Sequence, residues 1–224
     1  MRTSLFVGLA AAGLLGSTAS AQAQDAAGIA AGDWLVRLRG IVVAPNEKSD
    51  GITPGIPTAR VGVTNSVMPE VDFTYMATDH IGAELIVSST RHDLQGREAI
   101  SGLGKVGHTW VLPPTLTLQY HFLPKTAVRP YLGAGINYTT FYSAKTSDSL
   151  NKALGQTSLS LKDSVGYALQ AGVDVDLNKK FFLNLDIKYI DMGTTARLNT
   201  GGTINQTHVQ LNPFVFGVGV GTRF

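Results

Sequence analysis

The chain has no cysteine, which rules out any disulfide and suits export into an oxidising compartment, where a stray thiol is a hazard. It carries little net charge: 18 Lys and Arg stand against 16 Asp and Glu, a balance of +2. So weak a field offers nothing to a polyphosphate, and nucleic acid is excluded as a partner. Beyond the amino terminus no segment approaches the ~18 consecutive apolar residues of a spanning helix.

The amino terminus is different. Arg2 precedes an apolar run from Leu5 to Gly16, and the small residues Ser17 to Ala23 follow. This is the pattern of a secretory signal peptide over residues 1–23, with cleavage after Ala23 or, at a second candidate site, after Ala21. The mature chain is then a single domain, 24–224. An exported chain that is 44% apolar, has 25 glycines and lacks a membrane helix is either a periplasmic β protein or an outer-membrane barrel.

Strict alternation of apolar and polar residues recurs along the mature chain. It predicts eight strands: 34–43, 64–76, 81–90, 110–122, 130–141, 164–177, 181–191 and 208–224. Many reach the ~9–11 residues that cross a bilayer at a tilt. The connections alternate in length. Those at 44–63, 91–109, 142–163 and 192–207 are long; those at 77–80, 123–129 and 178–180 are short. Short periplasmic turns and longer external loops are the mark of an all-β, eight-stranded antiparallel up-and-down transmembrane β-barrel. The stretch 149–161 has room for a short helix.

Apart from Asp191 at the edge of the last loop, the charges of these strands share one phase. They are Arg37 and Arg39, Glu70 and Asp72, Glu84, Asp174 and Asp176, Asp186 and Lys188, and Arg223. An arginine facing lipid at the bilayer midplane costs roughly 2–4 kcal/mol, so this phase is the lumen. In the closing strand Phe214, Phe216, Val218, Val220 and Phe224 share the lipid phase, while Gly217, Gly219 and Gly221 face inward. Aromatic residues gather at strand ends, with Trp34, Tyr75, Tyr120, Phe122, Phe181 and Phe224 at one rim. Trp110, Tyr138, Tyr167, Tyr189 and Phe214 lie at the other, as in the girdles of a membrane barrel.

Several long segments resemble the OmpW family of outer-membrane proteins. They are Val71 to Leu85, Leu112 to Phe122, Arg129 to Tyr138, Ala171 to Asp174, Leu183 to Asp191 and the closing Asn212 to Phe224. The chain departs from the family near Val165 and Tyr167, where members often carry Trp. The resemblance implies an eight-stranded barrel in the outer membrane of a Gram-negative bacterium. It also implies a narrow, partly apolar channel for small hydrophobic molecules, captured near the outer opening and released sideways into the membrane. The implied partners are outer-membrane lipid and lipopolysaccharide, small apolar solutes, and the assembly machinery. The carboxyl-terminal Phe224 resembles the assembly signal of such barrels.

Two groups of residues are candidates for function. Arg37, Arg39, Glu70, Asp72, Glu84, Asp174, Asp176, Asp186, Lys188 and Arg223 supply both signs of charge, as buried ions require, and are expected to fill the lumen as a polar network. Phe141, Met192, Val209, Leu211 and Val215 lie toward the external half and make a greasy vestibule if they point inward. Core packing without any ligand fits them equally well, and a bulge at Pro213 would flip Val209 and Leu211 outward.

Other motifs are bland. Gly102-Leu-Gly-Lys-Val-Gly107 matches a dinucleotide pattern, but no strand precedes it and no helix follows. The five histidines lack metal-ligand spacing. The paired carboxylates read as salt bridges rather than as acid–base catalysts. No cofactor, metal or enzymatic activity is expected. The competing function is an adhesive barrel whose external loops bind host, phage or colicin.

Overall fold

A computed structural model describes residues 28–224; the signal-peptide assignment, residues 1–23, lies outside the described residues. Eight strands form the barrel: β1 (Trp34–Ala44), β2 (Ser66–Met76), β3 (Ile81–Ser88), β4 (Thr115–His121), β5 (Val128–Thr146), β6 (Ser164–Asp176), β7 (Phe181–Ile190) and β8 (Phe214–Arg223). Each pairs antiparallel with the next. Closure comes from β1 and β8, in register from Leu35 opposite Arg223 to Ala44 opposite Phe214. Closure of β1 on β8 removes the two free edges that an open sheet would present to lipid.

The side-chain period of two sorts each strand between lipid and lumen. In β1, Leu35, Arg37, Arg39, Ile41 and Val43 are buried, while Trp34, Leu38 and Val42 are exposed. In β4, Thr115, Thr117, Gln119 and His121 are buried and Leu116, Leu118 and Tyr120 exposed. An exposed apolar surface this extensive would be an aggregation hazard in water, and it is what a bilayer requires. The rims carry packed aromatic pairs, Trp34 with Tyr75 at 5.2 Å and Tyr189 with Phe214 at 5.4 Å between ring centroids.

Glycine is required where the lumen is most crowded. A Cβ on Gly219 would lie 2.8 Å from Arg39 Cγ, and one on Gly221 would collide with the Phe182 ring. The bare inner face of β8 is therefore the space that Arg39 and Phe182 occupy.

The external segments differ from the expected loops. Strands at Ala59–Val63, Thr90–Glu98 and Lys105–Leu112 continue the sheet upward from β5. A second sheet of Thr157–Leu161, Gly193–Thr200, Thr203–Gln210 and Lys48–Ser49 rises from the other side. Helix α1 (Asp148–Leu154), capped by the Ser147 hydroxyl accepting from the Leu150 amide, overlaps the first half of the expected 149–161 region, and a strand follows it. Two expected long strands are interrupted by proline. The fourth breaks at Pro113-Pro114, the eighth at Asn212-Pro213. Proline has no N–H for the ladder, so pairing stops there.

Candidate functional site

The lumen is stacked in three layers. At the periplasmic end Ile29, Leu35, Met76 and Phe182 form a fully buried apolar plug. Chain before β1 seals it: the Arg223 guanidinium donates to the Gly28 carbonyl at 2.9 Å and Lys125 to that of Ile29 at 2.9 Å. Beside this plug Asp176 forms ion pairs, off hydrogen-bond alignment, with Arg129 at 2.6 Å and Arg223 at 2.9 Å.

Above lies a layer of ions. Arg37 grips Asp174 with two nitrogens, at 3.2 and 2.9 Å, and also reaches Asp72 at 3.2 Å and Thr74 at 2.7 Å. Arg39 Nη2 lies 2.9 Å from Glu70 and 2.8 Å from Asp72, ion pairs off hydrogen-bond alignment, and Nη1 meets the Asn184 amide oxygen at 3.1 Å. Glu84 lies 3.5 Å from Arg37 and accepts the Thr117 hydroxyl at 3.0 Å. Asp186 accepts from Tyr131 at 2.9 Å and Gln170 at 2.8 Å. Lys188 donates to Asp186 at 2.7 Å and to Glu70 at 2.8 Å. The side chains of Arg37, Asp72, Glu84 and Asp174 are 0% exposed. The centre of this layer is therefore filled by its own side chains.

The third layer is an apolar cavity. Its walls are almost wholly apolar. Barrel residues Ile41, Ile86, Ile190 and Val215 line its lower part; Leu94, Val106, Leu159 and Leu198 of the extensions line its upper part. Glu70 and Lys188 are its charged floor. A shallower hollow at the outer tip, beside helix α1, shares Ile52, Ile100, Leu150 and Leu198 with the cavity. His92 is set into the wall. Its Nδ1–H donates to the Thr64 carbonyl at 2.7 Å and its Nε2 lies 3.0 Å from the Thr90 hydroxyl. Burial holds this imidazole below its ordinary pKa, against the opposing effects of the Thr64 carbonyl and Asp93.

The structure brings together eight of the ten lumen candidates in the ion layer; Asp176 and Arg223 sit apart at the periplasmic end. Phe141, Met192, Val209, Leu211 and Val215 all line the cavity. The backbone at Asn212 turns through φ 35°, yet Val209, Leu211, Pro213 and Val215 are all buried, so the inward phase survives the break. Arg129 and Tyr131, both central to the packing, went unrecognised because Arg129 reads as a turn residue and Tyr131 as one more aromatic. The cavity walls supplied by 59–63, 90–112 and 157–161 were equally hidden. Their alternation, as in Leu94-Gln-Gly and Leu159-Ser-Leu, is short and rich in polar residues.

The barrel wall has two discontinuities. Between β3 and β4 the ladder ends at Ile86 opposite Thr115, and it resumes at Thr90 opposite Val111. The gap sets Val87 to Ser89 against Leu112 to Pro114, whose two prolines cannot donate. Asn137 takes up both proline carbonyls, at 3.1 and 3.3 Å, from the β5 side. The second discontinuity is a groove around Asp191 to Thr194, sharing Met192 and Thr194 with the cavity but lined also by Lys162, Asp163, Asp191 and His208.

Comparison with known proteins agrees with this architecture. Residues 30–224 match the model of the OmpW family. Outer membrane protein W of Escherichia coli (strain K12) is 39% identical over 195 residues, 87% of this chain and 89% of that protein. The crystal structure of OprG from Pseudomonas aeruginosa superposes with a TM-score of 0.83 at 32% identity, covering 89% of this chain and 99% of that one. A dibenzothiophene metabolism operon protein, PahQ, of Pseudomonas aeruginosa is 27% identical over 75% of this chain and 77% of its own. The chain therefore belongs to the OmpW family and is an eight-stranded barrel of the outer membrane.

Proposed function

We propose that the barrel captures small apolar molecules in its outer half and passes them sideways into the membrane rather than down into the periplasm. One observation carries this reading: an apolar cavity in the outer half of the barrel ends on a floor of buried ion pairs. An apolar solute entering it sheds water at a gain of roughly 25 cal/mol per Å² buried. The same solute gains nothing from the ion layer, whose opening would leave buried charges unpaired at several kcal/mol each.

The exit is the gap at Pro113-Pro114. Backbone pairing is absent there, and the lipid-facing neighbours Val67, Val87, Leu116 and Tyr138 are exposed and apolar or aromatic. The groove at Met192 is the poorer route, because its charged lining would strip water from Lys162 and Asp191 as the solute passed. The name of the relative PahQ, which refers to dibenzothiophene, fits a solute of this class. On the same reading residues 1–23 are an export signal and Phe224 is the contact for the assembly machinery.

The test is uptake of dibenzothiophene into vesicles containing the full-length protein. Uptake should be faster than in empty vesicles without a matching ionic conductance. Absence of both accelerated uptake and cavity binding would overturn the proposal.

A further inference from the structure

The outer face of the sheet that rises from β5 has an unusual arrangement of charge. Its inward residues, such as Val61, Leu94 and Val106, line the cavity. Its outward residues fall in four rungs. The lowest joins Arg91, Trp110 and Tyr142 in register. The second joins Asp93, His108 and Lys145; the third pairs Gln95 with Lys105; the fourth pairs Arg97 with Arg60. Successive rungs are about 7 Å apart along a strand. The face thus begins at the stacked Trp110–Tyr142 pair, at the level of an interfacial girdle, and rises into the zone just outside the membrane.

Five outward cations share this face with Asp93, which Lys105 approaches to 2.7 Å and Arg91 to 3.9 Å. Among the described residues Arg60, Arg97 and Lys145 have no carboxylate at salt-bridge distance. Like charges directly opposite across a strand pair repel, and in the Arg60–Arg97 rung Arg60 is turned to neutral partners, the Pro57 and Ala59 carbonyls at 2.7 and 3.0 Å, rather than to an anion. Arg97 is nonetheless held close, since a Cβ on neighbouring Gly62 would come within 2.6 Å of its Nε. The opposite extension also has cations, Lys48 and Arg197, but Arg197 pairs with Ser160 and Gln206, Lys48 with Gln210, and no like-charged pair is in register.

We propose that this face binds the phosphate groups of lipopolysaccharide in the outer leaflet. The acyl chains would lie on the apolar wall below Trp110 and Tyr142, and the phosphates would reach Arg91, Lys105 and Lys145. Arg60 and Arg97 would meet the anionic groups of the inner sugar core. This lipid binds at the outer surface of the wall, independently of any solute in the cavity.

The experiment uses the full-length protein in nanodiscs, titrated with rough lipopolysaccharide bearing both lipid A phosphates and with the same lipid dephosphorylated. The triple variant R97Q/K105Q/K145Q should weaken binding of the phosphorylated lipid on the order of tenfold to a hundredfold. The control K48Q/R197Q should bind as the parent does, and heat-modifiable gel mobility confirms that both variants are folded. His108 supplies a second readout by NMR. Burial first, then Arg91 and Lys105, hold its pKa below the ordinary imidazole value, and a phosphate seated among those cations should raise it. Equal affinity of the triple variant, equal affinity for the dephosphorylated lipid, or an unmoved His108 would each overturn the proposal.

Discussion

Lys188 Nζ lies 2.8 Å from Glu70 Oε1, and this pair is the floor on which the apolar cavity ends. Both side chains are almost wholly buried, at 1% and 3% exposure. The two are mutually dependent, because removing either partner strands the other in a low-dielectric interior.

Lys188→Met should therefore destabilise the barrel by about 3–5 kcal/mol, since Asp186 and Glu70 both lose their ammonium. The double variant Lys188→Met/Glu70→Gln should recover part of the loss. Urea unfolding in detergent micelles reads both; equal stability of Lys188→Met and the parent would contradict the ion layer.

Filling the cavity should abolish solute handling while sparing the fold. Ala196 lines the cavity wall, and Ala196→Trp should cut uptake of dibenzothiophene to the level of empty vesicles. Val209→Thr should weaken uptake by placing a hydroxyl in the apolar wall. Lipopolysaccharide binding should be unchanged in both.

Restoring the wall should block release but not capture. Pro113→Thr/Pro114→Val returns two N–H donors to this stretch, one of them directed across the gap to Val87 to Ser89 and the other toward β5. Binding of an apolar fluorophore in the cavity should persist, and its transfer to the bilayer should slow by roughly an order of magnitude, as one or two added ladder hydrogen bonds of about 1 kcal/mol each must open. Unchanged transfer would move the exit to another part of the wall.

Acid should loosen the upper cavity wall. The folded state holds the His92 pKa below its unfolded value, so His92 is neutral in both states above about pH 6.5 and its contribution is then fully present. As pH falls below that value the unfolded chain takes up the proton first, and stability declines. Hydrogen exchange at the Asp93 amide, which donates to the Thr64 hydroxyl at 3.0 Å, should be faster at pH 5 than at pH 7 after correction for intrinsic rates. His92→Gln should remove that difference.

Phe224 offers a test of assembly. Its amide and carbonyl pair with Trp34 at 3.0 and 3.1 Å, and its ring is 69% exposed. Phe224→Ser should leave those backbone bonds available and lower the amount of barrel reaching the outer membrane, measured by heat-modifiable bands in membrane fractions.

The barrel strands were legible because lipid outside and ions inside enforce an alternation that survives inspection residue by residue, as in Val71-Asp-Phe-Thr-Tyr75. The external strands were not, because they face water on one side, where Ser, Thr, Asn and Gly are as acceptable as in a loop. For the same reason the cavity candidates from the barrel could be named, while Leu94, Leu159 and Leu198 could not. Arg129 was missed because it directly follows a turn and precedes Pro130, and only its 2.6 Å approach to Asp176 shows it belongs to the lumen.

By itself, then, the order of residues determined the membrane-facing surface, the sign and phase of the lumen charges and the eight-strand count, since each depends on a local period of two. Tertiary structure decided which charges meet, that they fill the centre of the lumen, and that four apparently loose external segments become cavity walls. Those outcomes depend on contacts between residues far apart in the chain, such as Arg37 with Asp174 and Glu70 with Lys188, and on register around a closed sheet, which no local pattern encodes.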